Sequence, residues 1–208
     1  MANEETLRTL GVVLFPGFEL LDVYGPLEAF GHLPEAFRIV QVADQAGPVA
    51  SAQGPRVVAD AGLADAPKLD WLLVPGGIGT RKEVDNTRLL DWLRARAATA
   101  ERVTSVCTGA AVLARAGLLD GLRATSNKAV FAWVQSQGPR VTWVPEARWV
   151  HDGRFSTSSG VSAGIDMSLD LIAKHVAPDV GEALAKAMEY EWHRDPSWDP
   201  FAKVWGLA

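Results

Sequence analysis

The chain has 208 residues, of which 48% are hydrophobic and 22% charged, a composition typical of a globular protein with a sizeable core. Its net charge of −5 and its scattered basic residues argue against a nucleic-acid surface. No apolar run reaches the ~18 residues that a membrane-spanning helix needs, and the acidic N-terminus does not resemble a signal peptide. One cysteine cannot form an internal disulfide or a cysteine-based zinc site, and we predict a cytoplasmic protein.

Segments with strand and helix character alternate along the chain, which predicts an α/β fold with a mostly parallel central sheet. The predicted strands are residues 10–15, 37–43, 70–74, 102–106, 123–126 and 141–144. Two hairpins are predicted, over residues 47–62 and over 149–157. The predicted helices are residues 20–30 (interrupted at Gly25-Pro26), 85–100 or 86–100, 110–119, 129–135, 164–176 and 180–190. We expect one domain over 1–208, with a core of residues 7–191 and a Trp-rich tail of 192–208.

Cys107 lies between the predicted strand 102–106 and the predicted helix 110–119. A helix N-terminus offers unpaired N–H groups and a positive dipole end, which would stabilise a thiolate and lower its pKa. The same N–H groups can stabilise an anion that forms on an attacked substrate. A strand-to-helix turn also lies at the carboxyl edge of the sheet, where open α/β folds bind ligands. Because free cysteines are often inert core residues, these features alone leave a nucleophile and a packing role both open.

Four segments of the chain together resemble the ThiJ/PfpI superfamily. They are LFPGFELLDVYGPLEAF (14–30), LLVPGGIGT (72–80), VTSVCTGAAVLARAGLLDGLRAT (103–125) and SGVSAGIDMSLDLI (159–172). The resemblance implies a flavodoxin-like, class I glutamine amidotransferase-like fold, a three-layer sandwich around a mostly parallel sheet. Within the superfamily the chain most resembles the isonitrile (isocyanide) hydratase subgroup, and it is also similar to the amidase-like domains of AraC-type regulators.

The resemblance implies a nucleophile at Cys107, with Thr108 beside it and a carboxylic acid at Asp22. Glu19 lies close to Asp22 in sequence, but the LLD-x-x-GP context assigns the acid to Asp22. A capping or helix-end charge is the competing role for this aspartate. Backbone N–H groups near the PGG turn are the expected oxyanion donors or substrate contacts, at Gly76, Gly77 and Ile78. We expect further pocket walls from Leu21, Tyr24, Trp133 and residues 159–161.

The chain departs from many superfamily members because it lacks their catalytic histidine: Thr108 and Asn127 occupy the two positions where one is common. A cysteine–histidine dyad is therefore disfavoured, and any general acid or base should be Asp22, its pKa raised by burial or by the thiolate.

Hydration of an isonitrile to a formamide suits such a site and needs no metal or organic cofactor. The resemblance also implies a small-molecule substrate and a homodimer. Two alternatives stay open, a small-molecule or redox sensor and a glyoxalase-like detoxification enzyme. Because no helix-turn-helix segment follows the domain before Ala208, we do not expect a complete regulator.

Overall fold

The computed structural model of the protein describes residues 7–208, and its centre is a seven-stranded sheet. The strands of the described chain are β1 (Arg8–Val13), β2 (Phe37–Ala43), β3 (Gly47–Ala50), β4 (Arg56–Ala59), β5 (Ala61–Gly62), β6 (Trp71–Val74), β7 (Arg102–Val106), β8 (Arg123–Ala124), β9 (Thr142–Trp143), β10 (Trp149–Asp152) and β11 (Phe155–Ser158). The helices are α1 (Leu20–Gly31), α2 (Thr80–Glu83), α3 (Thr87–Thr99), α4 (Gly109–Arg115), α5 (Phe131–Gln137), α6 (Ala163–His175), α7 (Pro178–Ala187) and α8 (Pro200–Val204).

The central sheet runs in the order β10-β11-β7-β6-β1-β2-β5 and is parallel except at the β10–β11 pair. Its middle strand β6 is buried along its whole length, as expected for an apolar strand that helices cover on both faces. Helices flank the sheet; α1 packs against α6, and α3 packs against α4. The predicted mostly parallel α/β architecture is confirmed. This order places the carboxyl ends of β1, β6 and β7 side by side at one edge.

Both predicted hairpins are confirmed as antiparallel pairs, β3 with β4 and β10 with β11. Two predicted strands are longer than the strands that the structure shows. Residues 123–126 and 141–144 contain only the two-residue strands β8 and β9, which pair with each other outside the central sheet. Helix α1 is not interrupted at Gly25-Pro26 but runs through Pro26. The short helices α2 and α8 were not predicted, because four or five residues carry too little periodicity to register.

Within residues 7–208, no helix combines the length and the apolar character needed to cross a membrane.

Candidate active site

Cys107 sits in a tight turn between β7 and α4, with a backbone φ of 57°. This left-handed conformation is unfavourable for a residue with a side chain, and it persists only where the surroundings hold it. Here the Cys107 N–H lies 3.2 Å from the Ser158 carbonyl and 3.3 Å from that of Ser159. The Cys107 carbonyl accepts a hydrogen bond from Ser126 Oγ at 2.7 Å. Strand β11 and the loop after β8 therefore fix the turn on both sides.

Asp22, in the first turn of α1, is completely buried and reaches the same edge of the sheet. Its Oδ2 accepts a hydrogen bond from the Gly76 N–H at 2.8 Å, so it does not cap its own helix. Its Oδ1 has no partner with full hydrogen-bond geometry among the described residues, although the Cys107 thiol is close enough to lower its pKa. Glu19 points elsewhere, since its Oε1 accepts from Gln53 Nε2 at 2.5 Å. One carboxyl oxygen of Asp22 is therefore fixed and the other is available.

Two glycines let backbone and side chains crowd around the thiol. A Cβ at Gly76 would lie 2.5 Å from the Thr108 nitrogen and 2.9 Å from Asp22 Oδ2. A Cβ at Gly160 would lie 2.9 Å from Cys107 Sγ. All three distances are too short for a real Cβ contact, so the site requires glycine at these two positions.

The pKa of Asp22 is raised well above its ordinary value, chiefly because burial disfavours the carboxylate. This agrees in direction with the sequence prediction. The prediction for Cys107 was wrong: its pKa is also raised, because burial and the charge of Asp22 outweigh the hydrogen bonds from Thr108 and Asn127 that lower it. Helix α4 has only seven residues, so its dipole is small. Because the charge of Asp22 raises the pKa of Cys107, ionisation of both groups together is disfavoured, and a single negative charge is shared between sulfur and carboxyl.

Two of the three N–H groups near the Pro75-Gly76-Gly77 turn already donate hydrogen bonds within the protein. Gly76 donates to Asp22, and Gly77 donates to Thr108 Oγ1 at 3.0 Å. Thr108 Oγ1 also lies 3.1 Å from Thr80 Oγ1, so the hydroxyl is part of a fixed network. Within the described chain, the Ile78 N–H has no acceptor. Of the three predicted donors, Ile78 is therefore the one that could serve a substrate without breaking a bond.

Cys107 opens into a cavity of about 180 Å³ lined by Gly77, Ile78, Arg81, Cys107, Thr108, Asn127 and Val130. A second cavity of about 310 Å³ shares Asn127 with it and is lined by Leu21, Asn127, Lys128, Ala129, Ser159, Gly160, Val161, Ser162, Phe201 and Trp205. A third cavity, near Leu14 and Leu89, is lined by none of these residues. Among the expected walls, Tyr24 and Trp133 line neither cavity at the site; the Tyr24 hydroxyl lies 3.4 Å from Gln41 Oε1.

Sequence reasoning missed the two polar residues of the Cys107 cavity, Asn127 and Arg81, as well as Val130. Asn127 was considered only as a missing histidine, yet its side chain hydrogen-bonds the thiol and lowers its pKa. Arg81 carries no motif at all; its guanidinium stacks on Trp133, with the Cζ atom 3.3 Å from the ring centroid. Of these residues, only Asn127 could have been recognised from the sequence, by its position after β8.

The four histidines lie away from the cavity. His32 pairs with Glu28 at 3.3 Å, and His151 contacts Ser156 and Asp170. His175 lies edge-on to Trp71, and His193 lies beside Trp198. Residues 7–208 also contain no group of three His, Cys, Asp or Glu side chains arranged to hold a metal ion. The ionisable groups at the thiol are therefore Asp22 and Arg81.

Comparison with known proteins places this geometry in a family. The sequence profile of the DJ-1/PfpI family matches residues 8–174. The chain belongs to the DJ-1/PfpI family. This confirms the resemblance to ThiJ/PfpI proteins and the flavodoxin-like fold that the resemblance implied. A crystal structure of a THiJ/PfpI family protein from Pseudomonas syringae superposes with a TM-score of 0.83 at 32% identity, over 90% of this chain and 77% of that one.

Two kinds of DJ-1/PfpI relative are similar in sequence. The isonitrile hydratase of Pseudomonas putida is 36% identical over 182 residues, which are 87% of this chain and 78% of that protein. The HTH-type transcriptional regulator GbdR of Pseudomonas aeruginosa is 31% identical over 189 residues, or 88% of this chain. The chain spans about half of the regulator's length, 51%. The relatives thus include an enzyme and a regulator.

Proposed function

We propose that this protein is an isonitrile hydratase-like enzyme that converts an isonitrile and water into an N-substituted formamide. The observation that carries the proposal is the pairing of the Cys107 thiol with the buried carboxyl of Asp22, whose pKa burial raises. An isonitrile carbon needs both partners at once, a nucleophile and a proton donor. The similarity to the isonitrile hydratase of Pseudomonas putida supports the same reaction.

The first half of the cycle forms a covalent intermediate. The shared charge resides on sulfur when the proton is on Asp22, and the thiolate then attacks the terminal carbon. As the C–S bond forms, the Asp22 carboxyl gives its proton to that carbon, producing a thioimidate and a carboxylate. Hydrogen bonds from Thr108 and Asn127 favour the thiolate and offset part of the burial that disfavours it. Burial disfavours the carboxylate, so it keeps the proton on Asp22 until the addition and makes the resulting carboxylate a stronger base for the next step.

The second half releases the product. The Asp22 carboxylate takes a proton from water as the hydroxyl adds to the thioimidate carbon, and that proton passes to nitrogen. Collapse of the adduct breaks the C–S bond, forms the formamide carbonyl and returns the hydroxyl proton to Asp22. The free Ile78 N–H supplies a donor for the oxygen as charge develops on it. The thiolate and the protonated carboxyl are then restored without any added cofactor.

Turnover tests the proposal directly. We expect the wild-type protein to form formamide from aryl or alkyl isonitriles, and Cys107→Ala to abolish it. Asp22→Asn removes the proton donor and should lower kcat about 10²- to 10⁴-fold. Glu28→Gln, an exposed change on the same helix, is the matched control and should retain activity. Absence of formamide across several isonitriles would overturn the proposal.

A second candidate is a sensor that binds a small molecule at Cys107 without turnover. The similarity to the regulator GbdR favours it, since that similarity covers 88% of this chain. The two functions separate in one experiment. A sensor would raise its melting temperature with an isonitrile or another small electrophile and form no product, whereas the enzyme would form product. A glyoxalase-like reaction is less supported, because Asn127 cannot act as a base in place of histidine.

A further inference from the structure

Arg81 is an unpaired cation in the wall of the cavity that contains the thiol. It lies on α2, directly after the loop that carries Gly77 and Ile78. Within residues 7–208 its guanidinium makes no ion pair, and its only hydrogen bond is a long one to Thr80 Oγ1 at 3.5 Å. An arginine has five N–H donors, so most of them have no partner here. The unused N–H donors of this half-buried cation are available to bind a ligand, and they do not hold the fold together.

Stacking on Trp133 fixes Arg81 in place near the thiol. Its guanidinium stacks on the Trp133 ring at 3.3 Å, so the side chain does not need a carboxylate to hold its position. Burial lowers the pKa of Arg81 and the charge of Cys107 partly offsets this, so the cation lies within electrostatic range of the sulfur. The other lining residues are neutral, namely Gly77, Ile78, Thr108, Asn127 and Val130. The cavity therefore presents one nucleophile and one positive charge.

We propose that Arg81 selects substrates that carry a carboxylate close to the electrophilic carbon. The proposal rests on the proposed function and deepens it: the preferred isonitriles are short acids of the isocyanoacetate type rather than neutral aryl or alkyl isonitriles. A cavity of about 180 Å³ has room for such a small molecule. A planar guanidinium binds a carboxylate through two parallel hydrogen bonds, which orients the other end of the substrate toward the sulfur.

Alkylation of the thiol tests this without requiring turnover. Iodoacetate and iodoacetamide differ mainly in charge, and in each case the thiolate displaces iodide to form a C–S bond. Cys107 is the only cysteine in the sequence, so every thioether detected by mass spectrometry lies at this site. We expect Arg81→Gln to lower the ratio of the iodoacetate rate to the iodoacetamide rate about tenfold or more, the effect of losing a charge-assisted hydrogen bond. Arg81→Lys should give an intermediate ratio.

Arg88→Gln is the control, because Arg88 pairs with Asp44 at 3.0 Å and does not line the cavity. An unchanged ratio in Arg81→Gln, or an equal slowing of both reagents, would overturn the proposal, since the cation would then act on the thiolate alone. Failure of either reagent to modify Cys107 would also overturn it. A parallel assay compares kcat/KM for isocyanoacetate and isocyanoacetamide. If neither is hydrated, the hydratase function fails while the alkylation ratio still decides the role of Arg81.

Discussion

At the scale of single residues, the site depends on two groups that both resist ionisation. Burial raises the pKa of Asp22 and of Cys107, and a charge on Asp22 raises that of the thiol further. A single shared charge suits the proposed chemistry better than a permanently ionised thiolate would, because addition to an isonitrile carbon consumes a thiolate and a proton together. The cost in folding stability is that the folded protein must bury an acidic side chain.

That cost predicts a pH-dependent stability. In a Cys107→Ala background, which removes the titrating thiol, Asp22→Asn should stabilise the fold at about pH 7.5 and much less at about pH 4. The folded pKa of Asp22 lies above its unfolded value, so its contribution is fully present below the unfolded pKa and is lost as the pH rises through the folded pKa. The slope is at most about 1.4 kcal/mol per pH unit.

Urea unfolding of both variants across this range measures the effect. Asparagine is a suitable replacement because its amide oxygen can still accept from the Gly76 N–H. A difference in unfolding free energy that stays constant with pH would show that Asp22 titrates alike in the folded and unfolded chains.

At the scale of elements, a buried charge cluster joins the C-terminal helix α8 to the rest of the fold. We define the cluster as Lys128, Arg148, Asp166 and Asp199, all nearly inaccessible. Arg148 Nη2 lies 2.5 Å from Asp166 Oδ2, and Arg148 Nη1 lies 3.9 Å from Asp199 Oδ1. Lys128 Nζ donates to the Ala147 carbonyl at 2.6 Å, and burial lowers the pKa of Lys128 to about 8. The cluster therefore anchors α8 beside the loop that carries Asn127.

Removing Asp199 should release this anchor. Its Oδ1 also accepts from the Phe201 N–H at 3.0 Å and so caps α8. We expect Asp199→Ala to lower the free energy of unfolding by about 1–3 kcal/mol, because a cap is lost and Arg148 loses a buried partner. Asp199→Asn keeps the cap and should lose less. Asp195→Ala, an exposed change in the same segment, should have little effect, and equal losses for Asp195→Ala and Asp199→Ala would refute the anchoring role.

At the scale of the whole molecule, exposed apolar side chains gather beside the second cavity. Leu21 of α1, Phe201 of α8 and Trp205 after it line that cavity and remain 42%, 49% and 55% exposed. We call these three residues the apolar face. A monomer that exposes such a face in water loses stabilisation that a partner could provide. The homodimer expected from the family resemblance stays a prediction, and the apolar face is the surface we propose for it.

Charge on the apolar face should separate the dimer. We expect the wild-type protein to sediment as two chains and the Phe201→Glu, Trp205→Glu double variant to sediment as one, because a buried unpaired carboxylate is costly at an interface. Val58→Glu places the same charge on an exposed valine of β4 and is the control. A wild-type monomer at micromolar concentration, or a double variant that remains dimeric, would contradict this assignment.

The sequence by itself determined the local features of this protein. Periodicity and turn chemistry act over a few positions. Neighbouring residues were therefore enough to predict the apolar strands, the two hairpins, the turn at Cys107 and the family motif around Asp22. Only the tertiary structure decided the ionisation of the site. Burial raises the pKa of Cys107, whereas the sequence predicted a lowered pKa, and the Thr108 hydroxyl accepts the hydrogen bond of the Gly77 N–H.

The same limit explains the other features that sequence reasoning missed. Arg81 and Trp133 stand 52 positions apart in the sequence, yet their side chains are stacked in the folded chain. Strands β8 and β9 pair outside the central sheet, and no local sequence pattern indicates this pairing. Desolvation, hydrogen-bond competition and contacts between distant segments depend on packing, so they become known only when the whole chain has folded.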